Sequence, residues 1–286
     1  MANFTIADVK ALREQLGTGL SDTKKALEDA DGDLEKAVEL LRLKGAKGNA
    51  KRADRSAAEG LIVAKENGDG TATILELNCE TDFVAKGEKF IELADQVLEA
   101  VAAAGATNAT EALAADANGQ TVDELIQGVA AIIGEKFELS NVRQVKGEKF
   151  DIYLHKTSSD LPPQVGVVVG YAGDDTDVAH GIAQHIAFAN PSYLNREDVP
   201  QADIDQERRV VEEITRAEGK PEAALPKIVE GRLGAFFKQI VLNEQEYARD
   251  PKFSIKQVAE QAGLTISDFA RIKVGASAEA AAEDAE

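Results

Sequence analysis

The chain has 286 residues, 44% of them apolar, with 51 acidic against 32 basic side chains and a net charge of −19. That length fits two or three compact units, and the acidic surplus argues against general binding of nucleic acid, because phosphate repels it. A single cysteine, Cys79, excludes an intramolecular disulfide and suits a reducing compartment.

The first 44 residues read as three short helices. Val9, Leu12 and Leu16 share one helical face, and Gly17 can end that helix. Ser21 or Asp22 can cap a second helix that buries Ala26 and Leu27. After the turn Asp31-Gly32-Asp33, residues Ala37, Val38 and Leu41 form a third stripe. Residues 1–56 hold 11 basic and 10 acidic side chains, whereas the remainder carries the whole negative excess, so this end reads as a separate module. Residues 45–58, rich in glycine and charge, read as a linker. The competing reading is a basic patch for RNA, although no aromatic is interleaved for base stacking.

A hairpin follows. Leu61 to Ala64 and Thr71 to Asn78 are strands flanking the turn Asn67-Gly68-Asp69-Gly70. A helix is expected after Thr81-Asp82-Phe83, with Phe90, Leu93, Ala94, Val97, Leu98 and Val101 on its buried face. Residues 104–120 read as a loose loop, Val122 to Ile133 as a helix and Val142 to Val145 as a strand. The pattern then partly repeats: strands at Phe150 to Leu154 and Val165 to Val169, and a helix from Val178 to Phe188.

Residues 190–226 read as an inserted helical hairpin, because Asp203 to Glu218 is too charged for a core helix. Ile228 to Val241 and Ser254 to Ala262 are expected to return to the body, and Phe269 to Val274 to form a last strand. The acidic stretch 276–286 reads as disordered. The fold class is thus α+β. A three-helix module (1–44) and linker (45–58) precede a two-part core, 59–147 and then 148–189 with 227–275, into which the hairpin 190–226 is inserted.

Catalytic signatures are missing. There is no Gly-x-x-x-x-Gly-Lys-Ser/Thr phosphate loop, no Cys-x-x-Cys pair and no Gly-x-Ser-x-Gly elbow. His180 and His185 are five residues apart, which separates them by ~140° on a helix and makes them a poor ligand pair. No metal, cofactor or covalent chemistry is expected. No basic region followed by an apolar run opens the sequence, and no stretch approaches the ~18 apolar residues of a membrane span, so a cytoplasmic location is expected.

Thr81, followed by Asp82 at the start of a helix, has a plain reading as an N-cap, with Phe83 as a staple packed onto that helix. Cys79 reads as a small buried apolar residue, since no basic neighbour lowers its pKa. Leu20 reads as a loop residue packed inside the module and Lys24 as a solvated charge.

A second reading comes from likeness. The first 44 residues resemble a ubiquitin-associated domain, whose family docks partners through the loop that Gly17-Thr18-Gly19-Leu20 matches here. The stretch Leu77-Asn78-Cys79-Glu80-Thr81-Asp82-Phe83-Val84-Ala85-Lys86 resembles the signature of the elongation factor Ts family. Val9 to Arg13, Lys24 to Leu27, His185 to Ala187, Gly219 to Pro221 and Ile228 to Arg232 match further blocks of that family in order.

The resemblance implies a guanine-nucleotide exchange factor that releases GDP from elongation factor Tu. It implies that Thr81, Asp82, Phe83 and Val84 form a tip that intrudes between helices of the partner's nucleotide domain and disturbs its magnesium site. It places Leu20 and Lys24 at the contact with that domain, and His155 at a further partner contact. Some members carry two methionines where this chain has Leu20-Ser21, and some carry a C-terminal docking helix. Direct contact with nucleic acid or membrane is not implied, and homodimerisation is left open. The alternative function is a non-catalytic adaptor in which the module binds a helical or ubiquitin-like partner and the acidic body is a scaffold.

Overall fold

Three helices open the chain in the computed structural model, which describes residues 3–16 and 18–276: α1 (Ile6–Leu16), α2 (Leu20–Asp29) and α3 (Leu34–Arg52). Gly17, the side chain of Leu16 and the acidic stretch beyond residue 276 lie outside the described residues. Val9, Leu12, Ala26, Leu27, Ala30, Ala37 and Leu41 form one small core, the stripe expected of three amphipathic helices. Asp31 and Gly32 turn the chain with positive φ, and Asp33 then caps α3 by accepting from the Lys36 nitrogen at 3.1 Å. The cap of α2 differs from expectation. It is Gly19, without a side-chain bond, so Leu20 is the first helical residue.

The segment read as a linker is helical as far as Arg52. Two glycines in a helix cost about 1 kcal/mol each relative to alanine, and packing offsets that cost. A Cβ on Gly45 would lie 2.7 Å from the Ala131 Cβ, so the bare backbone is what lets α3 sit against the helix around Ala131. Asn49 Nδ2 donates to Gln127 O at 2.8 Å on that same helix.

Strands β1 (Glu59–Glu66) and β2 (Thr71–Cys79) pair antiparallel across the Asn67–Gly70 turn. The single helix expected after Phe83 is two, α4 (Asp82–Ala85) and α5 (Glu88–Ala104). Gly87, in an extended conformation, ends one and caps the other. Residues 104–120 are not a loose loop. They contain α6 (Ala109–Leu113), capped by Asn108, and bury Ala106, Ala112, Ala115 and Ala117. Small alanines give little hydrophobic periodicity, which hides such packing from the sequence. Next come α7 (Val122–Ile133) and β3 (Glu138–Lys146), which pairs with β2.

The second half follows the same plan. Strands β4 (Lys149–His155) and β5 (Val165–Ala172) form a hairpin. Helices α8 (Thr176–Ala189), α9 (Gln201–Ala217), α10 (Leu225–Ile240) and α11 (Ile255–Gln261) follow, and β6 (Thr265–Lys273) pairs with β5. The two antiparallel sheets, ordered β1-β2-β3 and β4-β5-β6, lie face to face. Ile62, Ile74, Val145, Val168, Ala270 and Ile272 fill the space between them. Leu61, Leu75 and Leu77 point the other way, to α5 and α7, while Val167 and Val169 point to α8 and α11. This period-two division makes four layers, helix–sheet–sheet–helix, and each fully buried Leu or Ile contributes about 1.5–3 kcal/mol.

The hairpin has a different second arm from the one expected. Of residues 228–241, read as returning to the body, all but Val241 belong to α10, whose Val229, Leu233 and Phe237 share a core with Val211 of α9. Spacings of four put those three on one helical face. Arg208–Glu230 (2.7 Å) and Arg232–Glu218 (2.8 Å) bridge the arms at the surface.

Candidate partner-contact site

Where β2 ends, the backbone stays extended through Thr81, which caps α4 by accepting from the Val84 nitrogen at 3.4 Å. One helical turn then sorts the side chains. Ala85 is fully buried and Val84 packs against the same core, so Asp82 and Phe83 face outward. Phe83 is 78% exposed, which excludes the staple arrangement. Asp82 and Phe83 share Lys86, whose Nζ lies 3.3 Å from the carboxylate and 4.9 Å from the ring centroid. Exposed i,i+4 pairs of this kind are worth about 0.3–0.5 kcal/mol, so the lysine scarcely restrains either residue.

The base of the turn is braced by residues far away in sequence. Glu135 Oε2 accepts from the backbone nitrogens of Glu80 and Thr81, both at 3.1 Å, and its Oε1 accepts from Thr81 Oγ1 at 2.7 Å. The exchange is mutual, because the Glu80 carboxylate accepts from the Lys136 nitrogen at 2.6 Å. Arg55, just beyond α3, also reaches Glu80 at 3.2 Å. Below the turn, Cys79 donates its Sγ–H to Thr81 O at 3.2 Å. Burial first, and then the nearby Glu135 charge, pushes this thiol up to about 12, so it stays protonated and inert.

The other candidate residues sit elsewhere. Leu20, 59% exposed at the start of α2, is not packed inside the module. Lys24, one turn on, is exposed, with the Glu28 carboxylate 3.8 Å away. His155 ends β4, exposed, its Nδ1 2.9 Å from the Tyr153 hydroxyl. Among the described residues, no hydrogen bond or ion pair joins these three to one another or to the turn at Thr81–Val84. Glu135, Glu80, Arg55 and Tyr153 escaped the reading of the sequence. Nothing in the local pattern of 133–136 announces a brace for a turn 54 residues earlier.

Among the described residues, no group of three His, Cys, Asp or Glu side chains is placed to hold a metal ion, and no helix is long and apolar enough to cross a membrane. His180 instead lies 3.2 Å from Asp151, and His185 is buried against Gln245.

The fold and the turn define a class: a two-half α+β protein with a helical module at its start and an exposed aromatic on a braced turn. Comparison with known proteins gives the family. The family described as Elongation factor TS matches residues 80–276, from the turn to just beyond the last strand. Elongation factor Ts of Leifsonia xyli subsp. xyli is 71% identical over 276 residues, covering 96% of this chain and 100% of that one. Those of Clavibacter sepedonicus and Micrococcus luteus are 64% and 54% identical with the same coverage. The chain belongs to the elongation factor Ts family, and its role is in translation elongation, in protein biosynthesis.

Proposed function

We propose that the chain is a guanine-nucleotide exchange factor for elongation factor Tu that accelerates GDP release without making or breaking a covalent bond. The observation that carries this reading is the exposure of Phe83 on a turn whose base is fixed. A large apolar side chain held in water is a cost in the free protein that burial in a partner recovers. In this reading Asp82 and Phe83, flanked by Thr81 and Val84, enter near the magnesium and phosphate groups of the partner's nucleotide site. Leu20 and Lys24 anchor the nucleotide domain, and His155 makes a further contact.

The energetics are of the right size. A GTPase holds its nucleotide by backbone amides, a lysine and a magnesium ion, all of which depend on geometry. A factor that binds the nucleotide-free partner more tightly than the GDP-bound one must, by linkage, weaken GDP binding by the same ratio. Burying one phenylalanine contributes about 1.5–3 kcal/mol, which corresponds to roughly ten- to a hundredfold in such a ratio. Among the described residues, the partner of Asp82 is the exposed Lys86, so its carboxylate is available to take a polar group of the nucleotide domain.

The test is release of fluorescent GDP from elongation factor Tu. The wild-type chain should accelerate it, and Phe83→Ala should lose about tenfold or more of that acceleration while its melting curve stays unchanged. Equal exchange by mutant and wild type removes the role given to Phe83. Binding without faster release makes the chain an adaptor instead.

A further inference from the structure

We infer that Glu135 is a positioning residue for the exchange tip, fixing where Phe83 points without itself touching the partner's nucleotide site. The inference rests on the reading of Phe83 given above. Helix α4 has four residues, a single turn, and a turn that short has no stability of its own. The cap that starts it is long, 3.4 Å from Thr81 Oγ1 to the Val84 nitrogen. Phe83 itself is in water and Lys86 is its one ring contact among the described residues. The direction of the ring is therefore set from below.

What lies below is the Glu135 carboxylate. It takes two backbone N–H groups on one oxygen and the Thr81 hydroxyl on the other. Because that hydroxyl spends its proton on Glu135, its lone pairs face the Val84 N–H, and the carboxylate orients the cap through it. Hydrogen bonds to an ionised acceptor are roughly twice as strong as neutral ones, so this one side chain adds a strong polar restraint to the packing of Ala85 and Val84 that turns Phe83 outward. Glu80, bonded in return to the Lys136 nitrogen, closes the brace.

The experiment measures GDP release from elongation factor Tu over a range of concentrations of the full chain, and reads the saturating rate and the half-saturating concentration separately. A loosened tip spends less time in the productive geometry, so Glu135→Ala should lower the saturating rate by about tenfold while the half-saturating concentration stays within about threefold. Glu135→Gln keeps an oxygen for the two backbone N–H groups and should restore most of the rate. In a Phe83→Ala background, Glu135→Ala should cost nothing further, because both act through the same ring.

Additive losses, or a change confined to the half-saturating concentration, would make Glu135 a contact or a general structural residue and overturn the inference. If Glu135→Ala fails to fold, Thr81→Val removes the hydroxyl through which Glu135 orients the cap, together with its bond to the Val84 nitrogen, and it should lower the saturating rate without moving half-saturation. An unchanged rate there overturns the inference equally. If Phe83→Ala is slow but Glu135→Ala is not, only the role of Glu135 falls; if Phe83→Ala is as fast as wild type, the reading of the tip falls first.

Discussion

Glu76 Oε1 accepts a 2.8 Å hydrogen bond from the backbone nitrogen of Gly275, 199 residues further along the chain. Glu76 lies in the middle strand of the first sheet and is fully buried. Asn78 and Asn141 also donate to its carboxylate, at 2.8 and 2.6 Å, so the group is satisfied by three uncharged N–H donors. Gly275 has φ of 79°, and a Cβ there would meet Ala58 O at 2.7 Å. The carboxylate thus ties the end of the last strand of the second half into the first.

Glu76→Ala should accordingly destabilise the protein strongly. Each buried donor left without an acceptor costs about 1–3 kcal/mol, and the Gly275 nitrogen and the Asn78 amide both lose one, for a total of about 2–6 kcal/mol. Glu76→Gln keeps one acceptor oxygen and should cost less. Urea unfolding measures both, and a Glu76→Ala midpoint equal to that of wild type would show that water replaces the carboxylate.

Gly45 and Gly48 lie one turn apart in α3 and should respond to alanine in opposite ways. At Gly48 the new methyl meets the guanidinium end of Arg52, 3.2 Å from Nη1, a long side chain that can give by a few tenths of an ångström, so the gain in helix propensity of about 0.5–1 kcal/mol is realised. At Gly45 it meets Ala131 at 2.7 Å, and overpacking there costs about 1–3 kcal/mol, which exceeds that gain. Thermal melts of the two variants decide this, and a Gly45→Ala protein as stable as Gly48→Ala would mean that α3 is not seated against α7.

These two glycines also mark where sequence reasoning reaches its end. The Asn67–Gly70 hairpin, the stripe of α5 and the bounds of α7 were legible because their signals are local: turn chemistry and periodicity. Gly45, Gly48 and a cluster of charge look like a linker to any local rule, and what makes them helical is the face of a helix some eighty residues later. Leu233 and Phe237 have the right spacing for a helix, but spacing does not say which neighbour they face, so from sequence their segment reads as part of the body rather than of the hairpin. At the site, the cap at Thr81 was readable, whereas the direction of Phe83 was not. A staple and an exposed tip share one sequence pattern and differ only in tertiary surroundings, here the placement of Glu135 beneath the turn.

His185 makes stability depend on pH. The ring is 4% exposed on α8; its Nδ1 accepts from the Ala248 nitrogen at 3.2 Å, so the proton sits on Nε2, which donates to Gln245 Oε1 at 2.9 Å. Gln245 is held in that orientation by its own bond to Gln239 O at 2.6 Å. Burial lowers the pKa of His185 below its ordinary 6.5, the bond to Gln245 opposing only in part. A second ring proton would also point at the Ala248 N–H. The unfolded chain therefore takes up a proton at a higher pH than the folded one, and stability contributed by neutral His185 is lost as pH falls from 6.5 towards the lowered value. Between pH 7.5 and 5.5 the melting temperature of the wild type should fall more steeply than that of His185→Gln, in which the titration is gone while His155, His180 and the carboxylates remain. Parallel curves across that window would show that His185 titrates alike in both states, and that its burial carries no linkage to folding.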